Sequence, residues 1–249
     1  MNDLQNIGIR CGTDKIMFGY LDVYHGYFSK FRDKEINILE IGVYNGASVR
    51  MWREYFPKAN VIGIDVEQKT KIFESLGGKN RFFLGDQGNP MHLEMVASII
   101  KKETNRGFDI VVDDGSHFQH DMMVSFGNLF PHMNSGGTYV VEDMCTATGL
   151  NNGSCWWGSP DENHATSHLP GLSNSVYMNK EWLPNGKKDT FHCAETTMER
   201  FEDTGVFTNA FLTNEQCNYV SENFCFVKFY KTKVPPITGT SSIAIVVKK

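Results

Sequence analysis

The chain has 249 residues, of which 41% are hydrophobic and 21% charged, and its formal net charge is −5. This composition is typical of a globular protein with one substantial core, so we expect a single domain over residues 1–249. The mild acidity and the lack of a basic stripe argue against nucleic acid as a partner, and no apolar run is long enough to cross a bilayer. Because the N-terminus has no signal pattern and the six scattered cysteines form no C-x-x-C pair, we expect a cytoplasmic protein with reduced thiols.

Short β-branched or aromatic runs bounded by Gly, Asp, Asn or Pro predict five buried strands. They cover residues 36–41, 60–65, 81–85, 108–113 and 137–141. Apolar residues at helical spacing predict helices at 47–56, 91–102 and 120–130, and an aromatic-rich helix at 17–31 before the first strand. Strands that alternate with helices in this way indicate βαβ crossovers and a mostly parallel sheet.

The texture of the chain changes after the fifth strand. Residues 145–189 are rich in Asn, Gly, Ser and His around Trp156 and Trp157, which predicts a long loop or lid, and we expect residues 145–220 to form a lid or acceptor-binding region. The two tryptophans could stack on a sugar ring or equally pack onto the sheet. His164 and His168, four residues apart, would bind a metal only on a helix, and their Asn- and Ser-rich surroundings favour a loop.

The last part of the chain, residues 221–249, contains two segments that alternate like paired strands, 224–231 and 242–248. An antiparallel pair beside a parallel sheet fits a methyltransferase-type sheet better than a plain dinucleotide-binding one. We therefore predict an α/β fold, a doubly wound and mostly parallel seven-stranded sheet of the Rossmann-like methyltransferase kind with a C-terminal antiparallel strand pair. A helical cap at 1–34 and a cofactor- and metal-binding core at 35–144 would precede the lid-like insertion.

The turn after the first strand carries the pattern Glu40-x-Gly42-x-x-x-Gly46. Ligands bind at the carboxyl ends of strands in open α/β sheets, and glycine there lets the backbone approach them. A dinucleotide would need G-x-G-x-x-G for its pyrophosphate, whereas an acid ahead of the first glycine suits the cationic end of S-adenosylmethionine. The pattern therefore favours S-adenosylmethionine over NAD.

Two more strand ends carry polar residues that suit a nucleoside. Asp65 ends the second strand, where a carboxylate can accept both ribose hydroxyls. Asp86 and Gln87 follow the third strand, where an acid or an amide can read an adenine amino group. Each of these residues alone could be a turn former or a helix cap. Three such features at successive strand ends indicate a nucleoside site.

The fourth and fifth strands end in clustered acids, D-D-G-S-H at 113–117 and the pair Glu142 and Asp143. Adjacent parallel strands end on one rim, so Asp114 can converge with that pair. Clustered carboxylates repel each other unless a cation holds them, and oxygen ligands suit Mg²⁺ or another hard divalent ion. Such an ion would bind substrate hydroxyls, and a neutral His117 could remove a hydroxyl proton. Alternatively, the segment only caps the next helix.

Five segments, in order and within residues 12–145, resemble the macrolide sugar O-methyltransferases of the mycinamicin and macrocin type. They also resemble the related cephalosporin hydroxylase-like and rhamnosyl methyltransferase group. The segments are Gly12-Thr13-Asp14-Lys15, 39–48, Gly85-Asp86-Gln87, 113–117 and Val141-Glu142-Asp143. The resemblance implies a class I S-adenosylmethionine-dependent O-methyltransferase that needs a divalent metal, methylates a sugar hydroxyl and could form a homo-oligomer.

The resemblance also implies roles for single residues. Asp114, Glu142 and Asp143 would bind the metal, and His117 would be the general base. The cofactor pocket would be lined by Thr13, Glu40, Gly42, Asn45, Ser48, Asp65, Asp86, Gln87 and Asp113. The acceptor would be a small molecule, either a sugar or glycoside or another vicinal diol, and neither nucleic acid nor a membrane would be a partner.

Two other functions fit parts of the pattern. A non-haem iron oxygenase would use His117 with Glu142 or Asp143, but its facial triad needs two histidines and one carboxylate. A non-catalytic nucleotide-binding protein would bind the cofactor without turnover and would not need His117. Turnover that requires S-adenosylmethionine, rather than O₂ and a reductant, separates these possibilities.

Overall fold

The apolar runs form one mixed sheet in the computed structural model, which describes residues 1–144, 194–233 and 240–249. Its strands are β1 Asn37–Ile41, β2 Asn60–Asp65, β3 Arg81–Leu84, β4 Phe108–Asp113, β5 Met133–Val141, β6 Phe224–Lys233 and β7 Thr240–Lys248. Their order is β3-β2-β1-β4-β5-β7-β6; the first five are parallel, and β7 runs antiparallel to β5 and β6. The predicted fold class is thereby confirmed.

Helices lie between and beside these strands. In chain order over the described residues they are α1 Asp3–Cys11, α2 Tyr20–Phe28, α3 Ala47–Tyr55, α4 Thr70–Leu76, α5 Pro90–Thr104, α6 Gln119–Leu129, α7 Ala194–Thr204 and α8 Asn214–Asn223. Short 3₁₀ turns cover Asp14–Ile16, Ser29–Phe31 and Phe130–His132. In the part of the chain described, no helix combines the length and apolar character that crossing a membrane requires.

The N-terminal region differs from its prediction in two ways. The predicted helix at 17–31 is shorter, because Gly19 has a φ of 72° and α2 begins only at Tyr20. Within the predicted helical cap, α1 was not predicted as a separate helix, although its capping box, in which Asn2 and Gln5 bond each other's backbone amides, is a recognisable start signal. Two packed helices therefore precede β1, where one was predicted.

Apolar side chains cover both faces of the sheet, so β1 and β4 are buried along their whole length. One face packs against α1 to α4, with a cluster of aromatic rings around Tyr24, Phe28 and Trp52. The other face packs against α5 to α8. Each large apolar side chain that is fully buried contributes roughly 1.5–3 kcal/mol to stability. The loops at the carboxyl ends of the strands therefore leave a sheet that is buried between two layers of helices.

Most of the predicted lid, residues 145–193, lies outside the described residues. The predictions that fall there concern Trp156, Trp157, His164 and His168. The remainder, residues 194–220, forms α7 and part of α8. Met198, Phe201 and Val220 from this part are buried in the core. This stretch of the chain therefore packs as a layer on the sheet.

Candidate functional site

The carboxyl ends of the parallel strands form one rim, and backbone hydrogen bonds join the loops that leave it. The amide of Asp114 donates to the carbonyl of Ile41 at 3.0 Å, which ties the loop after β4 to the end of β1. The amide of Glu142 donates to the carbonyl of Asp113 at 2.9 Å, which ties the loop after β5 to the end of β4. The segments that sequence analysis singled out therefore begin side by side.

The glycine turn after β1 touches the loop after β4. Gly42 has a φ of 82°, and a Cβ built on it would lie 2.1 Å from the carbonyl oxygen of Asp114. Any other residue would push the two loops apart. The turn predicted to bind the cofactor and the loop predicted to bind the metal are therefore in backbone contact.

Asp65 and Asp86 accept hydrogen bonds from backbone amides of nearby loops. One oxygen of Asp65 accepts from Val43 at 2.8 Å and Tyr44 at 3.2 Å, so Asp65 holds the glycine turn in place. Asp86 accepts from the amide of Gly88 at 2.8 Å. Both carboxylates are partly exposed at the rim, where a ligand can also reach them.

Three further predicted cofactor residues differ in their exposure. Asn45 is exposed, and its side-chain oxygen accepts from the amide of Ala47 at 2.9 Å. Ser48, in the first turn of α3, is buried. Thr13 is also buried and begins the 3₁₀ turn Asp14–Ile16. Thr13 thus fixes the start of a segment that enters the site from the N-terminal side.

Gln87 and Asp113 form a buried link between the loops after β3 and β4. The amide nitrogen of Gln87 donates to Asp113 at 3.0 Å, and its oxygen accepts from the backbone of Ser116 at 2.7 Å. The hydroxyl of Ser125 donates to the other oxygen of Asp113. Burial raises the pKa of Asp113 to about 7, although these hydrogen bonds from Ser125 and Gln87 oppose the rise. The link holds the two loops at a fixed distance.

Asp114, His117 and Asp143 form a group that could hold a metal ion. One ligand atom from each lies within 4.8 Å of the others, and all three side chains are partly exposed. Two carboxylate oxygens and an imidazole nitrogen suit a divalent cation, and the carboxylates are the donors that Mg²⁺ prefers. The structure therefore brings together two of the three predicted metal ligands and the predicted base.

The third predicted ligand, Glu142, lies beside this group, and its carboxylate faces the ammonium of Lys15. Its side chain is buried, and its two oxygens accept from the ammonium of Lys15 at 2.8 and 2.9 Å. The hydroxyl of Tyr24 donates to the same carboxylate. Burial and the charge of Asp114 raise the pKa of Glu142 well above its usual range, while Lys15 opposes the rise.

The backbone is strained where the site is built. Among the described residues, four other than glycine have positive φ: Tyr44, Asn105, His117 and Asp143. Asn105 caps α5, but the other three lie at the rim, and two of them, with φ of 58° and 51°, belong to the candidate metal group. Such strain costs about 1–3 kcal/mol per residue and is concentrated at functional sites.

His117 has a ring nitrogen that the fold leaves unused. Its Nδ1 is buried and has no hydrogen-bond partner among the described residues. Its Nε2 lies 4.0 Å from Oδ1 of Asp114, too far for a hydrogen bond. A buried ring nitrogen without a partner costs free energy, so the position is better explained by a ligand or a proton-transfer role than by packing.

Lys15 is the residue of the site that sequence analysis missed. Its side chain is only 1% exposed, and its Nζ lies 2.5 Å from Oδ2 of Asp114 and 3.9 Å from Oε1 of Glu40. Burial lowers the pKa of Lys15, but the surrounding carboxylates outweigh that effect and hold it well above its usual value. The surplus of acids at the strand ends was a signal, because buried carboxylates need a cation.

Glu40 was predicted to face the cationic end of the cofactor, and in the structure the Lys15 ammonium lies 3.9 Å from its Oε1. The Glu40 side chain is fully buried, and neither oxygen makes a hydrogen bond among the described residues. Burial raises the pKa of Glu40 to about 7, with Lys15 acting against the rise. Glu40 therefore lies between the cofactor turn and the metal group.

Comparisons with known proteins identify similar sequences and structures, although no family model matches the chain. The chain is 36% identical over 156 residues to mycinamicin VI 2''-O-methyltransferase of Micromonospora griseorubida, a match that covers 58% of this chain and 37% of that protein. It is 30% identical over 199 residues to L-olivosyl-oleandolide 3-O-methyltransferase of Streptomyces antibioticus, covering 74% of this chain and 47% of that protein. The chain thus spans less than half the length of these relatives.

Solved structures include a similar protein, the MycE methyltransferase from the mycinamycin biosynthetic pathway in complex with Mg and SAH. It aligns with a TM-score of 0.66 and 25% identity over 99% of this chain and 55% of that one. The chain therefore has the α/β fold of a methyltransferase and is similar in sequence to the macrolide sugar O-methyltransferases, as its motifs predicted.

Proposed function

We propose that the chain is a divalent-metal-dependent O-methyltransferase that transfers a methyl group from S-adenosylmethionine to a hydroxyl of a sugar or another vicinal diol. The observation that carries this proposal is the contact at Gly42, where the cofactor turn meets the loop that leads to the metal group. A methyl donor and an acceptor bound at these two places would be neighbours. Holding two reactants in line can supply about 7–11 kcal/mol of the barrier reduction.

We assign to the cofactor the residues that surround the glycine turn and the adjoining strand ends. They are Thr13, Glu40, Gly42, Asn45, Ser48, Asp65, Asp86, Gln87 and Asp113. Asp65 supports a ribose-binding role because it already fixes the turn through two amides and remains partly exposed. MycE, whose structure contains SAH, supports a cofactor of this kind by its similarity to the chain.

We assign the metal to Asp114 and Asp143, with Glu142 as the third predicted ligand. The first two belong to the group within 4.8 Å, and their oxygens fit a hard ion such as Mg²⁺. When bound, the ion would make a coordinated acceptor hydroxyl more acidic and stabilise the charge that develops on its oxygen. Glu142 is held beside the group by Lys15 and Tyr24.

We assign the base to His117. The acceptor oxygen forms a bond to the methyl carbon as the sulfur–carbon bond breaks, and the hydroxyl proton passes to a ring nitrogen of His117. A positioned general base contributes about 10²–10⁴-fold to such a reaction. The unpartnered Nδ1 and the strained backbone of this residue support the role, because packing alone explains neither.

The two rival functions have less support. The group of one histidine and two aspartates is the reverse of the two-histidine, one-carboxylate triad of non-haem iron oxygenases. A non-catalytic nucleotide-binding protein would have no use for strained, partly exposed residues at His117 and Asp143.

A titration of the purified chain tests the proposal. Calorimetry with S-adenosylmethionine, and separately with NAD, is carried out on EDTA-stripped protein and repeated with Mg²⁺ and a panel of sugar diols. We expect S-adenosylmethionine to bind and NAD not to, and diols to bind only when metal is present. Failure of S-adenosylmethionine to bind under any of these conditions would overturn the proposal.

A further inference from the structure

A segment from the N-terminal region reaches the three metal-side carboxylates from outside the rim. Lys15 precedes α2, and Tyr20 and Tyr24 lie one turn apart on its buried face. We call these three residues the N-terminal clamp. Each of its polar groups contacts one or more of the carboxylates that follow β4 and β5.

The clamp makes contact with all three carboxylates. The ammonium of Lys15 lies 2.5 Å from Oδ2 of Asp114, whereas Oδ1 of that residue is the oxygen 4.0 Å from His117. The hydroxyl of Tyr20 donates to Oδ1 of Asp143 at 2.5 Å. The two oxygens of Asp114 therefore face different partners, one the clamp and the other the candidate metal group.

The third contact involves the neighbouring carboxylate. Tyr24 donates its hydroxyl to Oε1 of Glu142, which also receives the Lys15 ammonium. Both tyrosines are fully buried, and Tyr24 packs between Phe28 and Trp52 with ring centroids 5.0 and 5.7 Å away. The hydroxyls are thus fixed by ring packing, so they can hold the carboxylates against their mutual repulsion.

We propose that Tyr20, Tyr24 and Lys15 are positioning residues that orient the carboxylates for a divalent metal ion. The inference rests on the proposed metal site, and it assigns to the N-terminal region a part in building that site. Groups that orient metal ligands from the second layer typically change metal affinity 10–100-fold when they are removed. A residue that only fills the core would not act on metal affinity in this way.

The test compares three tyrosine-to-phenylalanine variants of the full chain on α2. Tyr20→Phe and Tyr24→Phe each remove one clamp hydroxyl and keep the ring. Tyr27→Phe is the matched control, because its hydroxyl bonds that of Tyr230 at 2.7 Å, away from the carboxylates. Binding of Mn²⁺ to EDTA-stripped protein is measured by the loss of the free-ion electron paramagnetic resonance signal, and melting in EDTA checks that each variant is folded.

We expect the Mn²⁺ dissociation constant to rise about 10-fold or more in Tyr20→Phe and Tyr24→Phe and to remain at the wild-type value in Tyr27→Phe. Wild-type affinity in Tyr20→Phe, or an equal loss in Tyr27→Phe, would overturn the inference and leave the proposed function intact. If wild-type protein itself binds no Mn²⁺, the metal part of the proposed function fails together with the inference.

Discussion

The two halves of the rim hold their acids in different ways. On the side that we propose for the cofactor, called the cofactor side, Asp65 and Asp86 accept from backbone amides no more than 22 residues away, at Val43 and Gly88 among others. On the side that we propose for the metal, called the metal side, the carboxylates are held by side chains 99 to 127 positions away, contributed by the N-terminal clamp. The first half is a local structure, whereas the second exists only once the whole chain has folded.

This difference has a chemical reason. A backbone amide gives a carboxylate a fixed and neutral donor, which suits a site that binds an uncharged ribose or adenine. Several carboxylates side by side need positive charge, and a buried ammonium such as that of Lys15 supplies it without a bound ion. The metal side is therefore the half whose geometry and charge depend most on a single distant residue.

The largest effect that we predict concerns His117, the proposed base in the candidate metal group. His117→Asn should lower the turnover number about 10²–10⁴-fold and leave S-adenosylmethionine affinity unchanged, because a general base is lost. Asparagine is chosen since it tolerates the left-handed φ of 58°. Methyl transfer from labelled S-adenosylmethionine measures turnover, and His132→Asn, at the opposite end of β5, is the control. Turnover within tenfold of wild type, or an equal loss in the control, would refute the assignment of the base.

The next prediction concerns a substitution on the metal side that should weaken metal binding and leave cofactor binding unchanged. Asp114→Asn should weaken Mn²⁺ binding about 100-fold or more, because it removes a ligand charge and one partner of Lys15. The affinity for S-adenosylmethionine should stay within a few-fold of the wild-type value. Calorimetry of both ligands on the same preparation measures the two effects. A parallel loss of both affinities would mean that the halves are one coupled site.

The sequence predicts the local features of the fold better than those that depend on distant parts of the chain. The bounds of β2 and β4 agree with their prediction, because both are apolar runs that end sharply at Asp65 and Asp113. β5 begins four residues before its predicted start at 137, since the chain pairs with β4 through a register shift around Gly136, whose φ of 73° no apolar pattern reveals. Of the helices between the parallel strands, α4 was not predicted, because only Phe73 of its seven residues is buried.

The site shows the same limit. The strand-end motifs predicted which acids would line the rim, since parallel strands end together. The sequence marks Lys15 only as part of the Gly12–Lys15 motif, and Tyr20 and Tyr24 only as part of an aromatic-rich helix. Their hydroxyl and ammonium contacts lie more than 95 positions away along the chain, so no periodicity could connect them with Glu142 or Asp143. The roles of the predicted site residues remain predictions.

A pH prediction concerns Glu40, which lies between the halves. Its pKa in the folded protein, about 7, exceeds the ordinary value of 4.5, because burial disfavours the charged form. Between these two values the folded chain binds more protons than the unfolded chain, so Glu40 makes the protein less stable as pH rises from about 5 to 7. Glu40→Gln should remove this dependence. The free energy of unfolding of the variant minus that of wild type should therefore increase by roughly 2–3 kcal/mol from pH 5 to pH 8. Urea unfolding in EDTA at pH 5 and pH 8 measures the free energy of unfolding of both proteins. If that free energy changed with pH in the same way in wild type and Glu40→Gln, the prediction would be contradicted.

The smallest effect is expected on the cofactor side. Asp65→Asn should raise the dissociation constant of S-adenosylhomocysteine about tenfold, since a charged acceptor for the ribose becomes neutral, and leave Mn²⁺ binding unchanged. Asp65 also holds the amides of Val43 and Tyr44, so a loss could instead reflect a loosened turn. The two causes are separated by measuring wild type and Asp65→Asn with S-adenosylhomocysteine and with its analogue that lacks the ribose 2′-hydroxyl, as a double cycle of dissociation constants. If Asp65 contacts the ribose, the variant should no longer distinguish the analogue from the parent compound. If Asp65 only holds the turn, the substitution should weaken the binding of both compounds by the same factor. Asp65 would then have a structural role and would not contact the ligand.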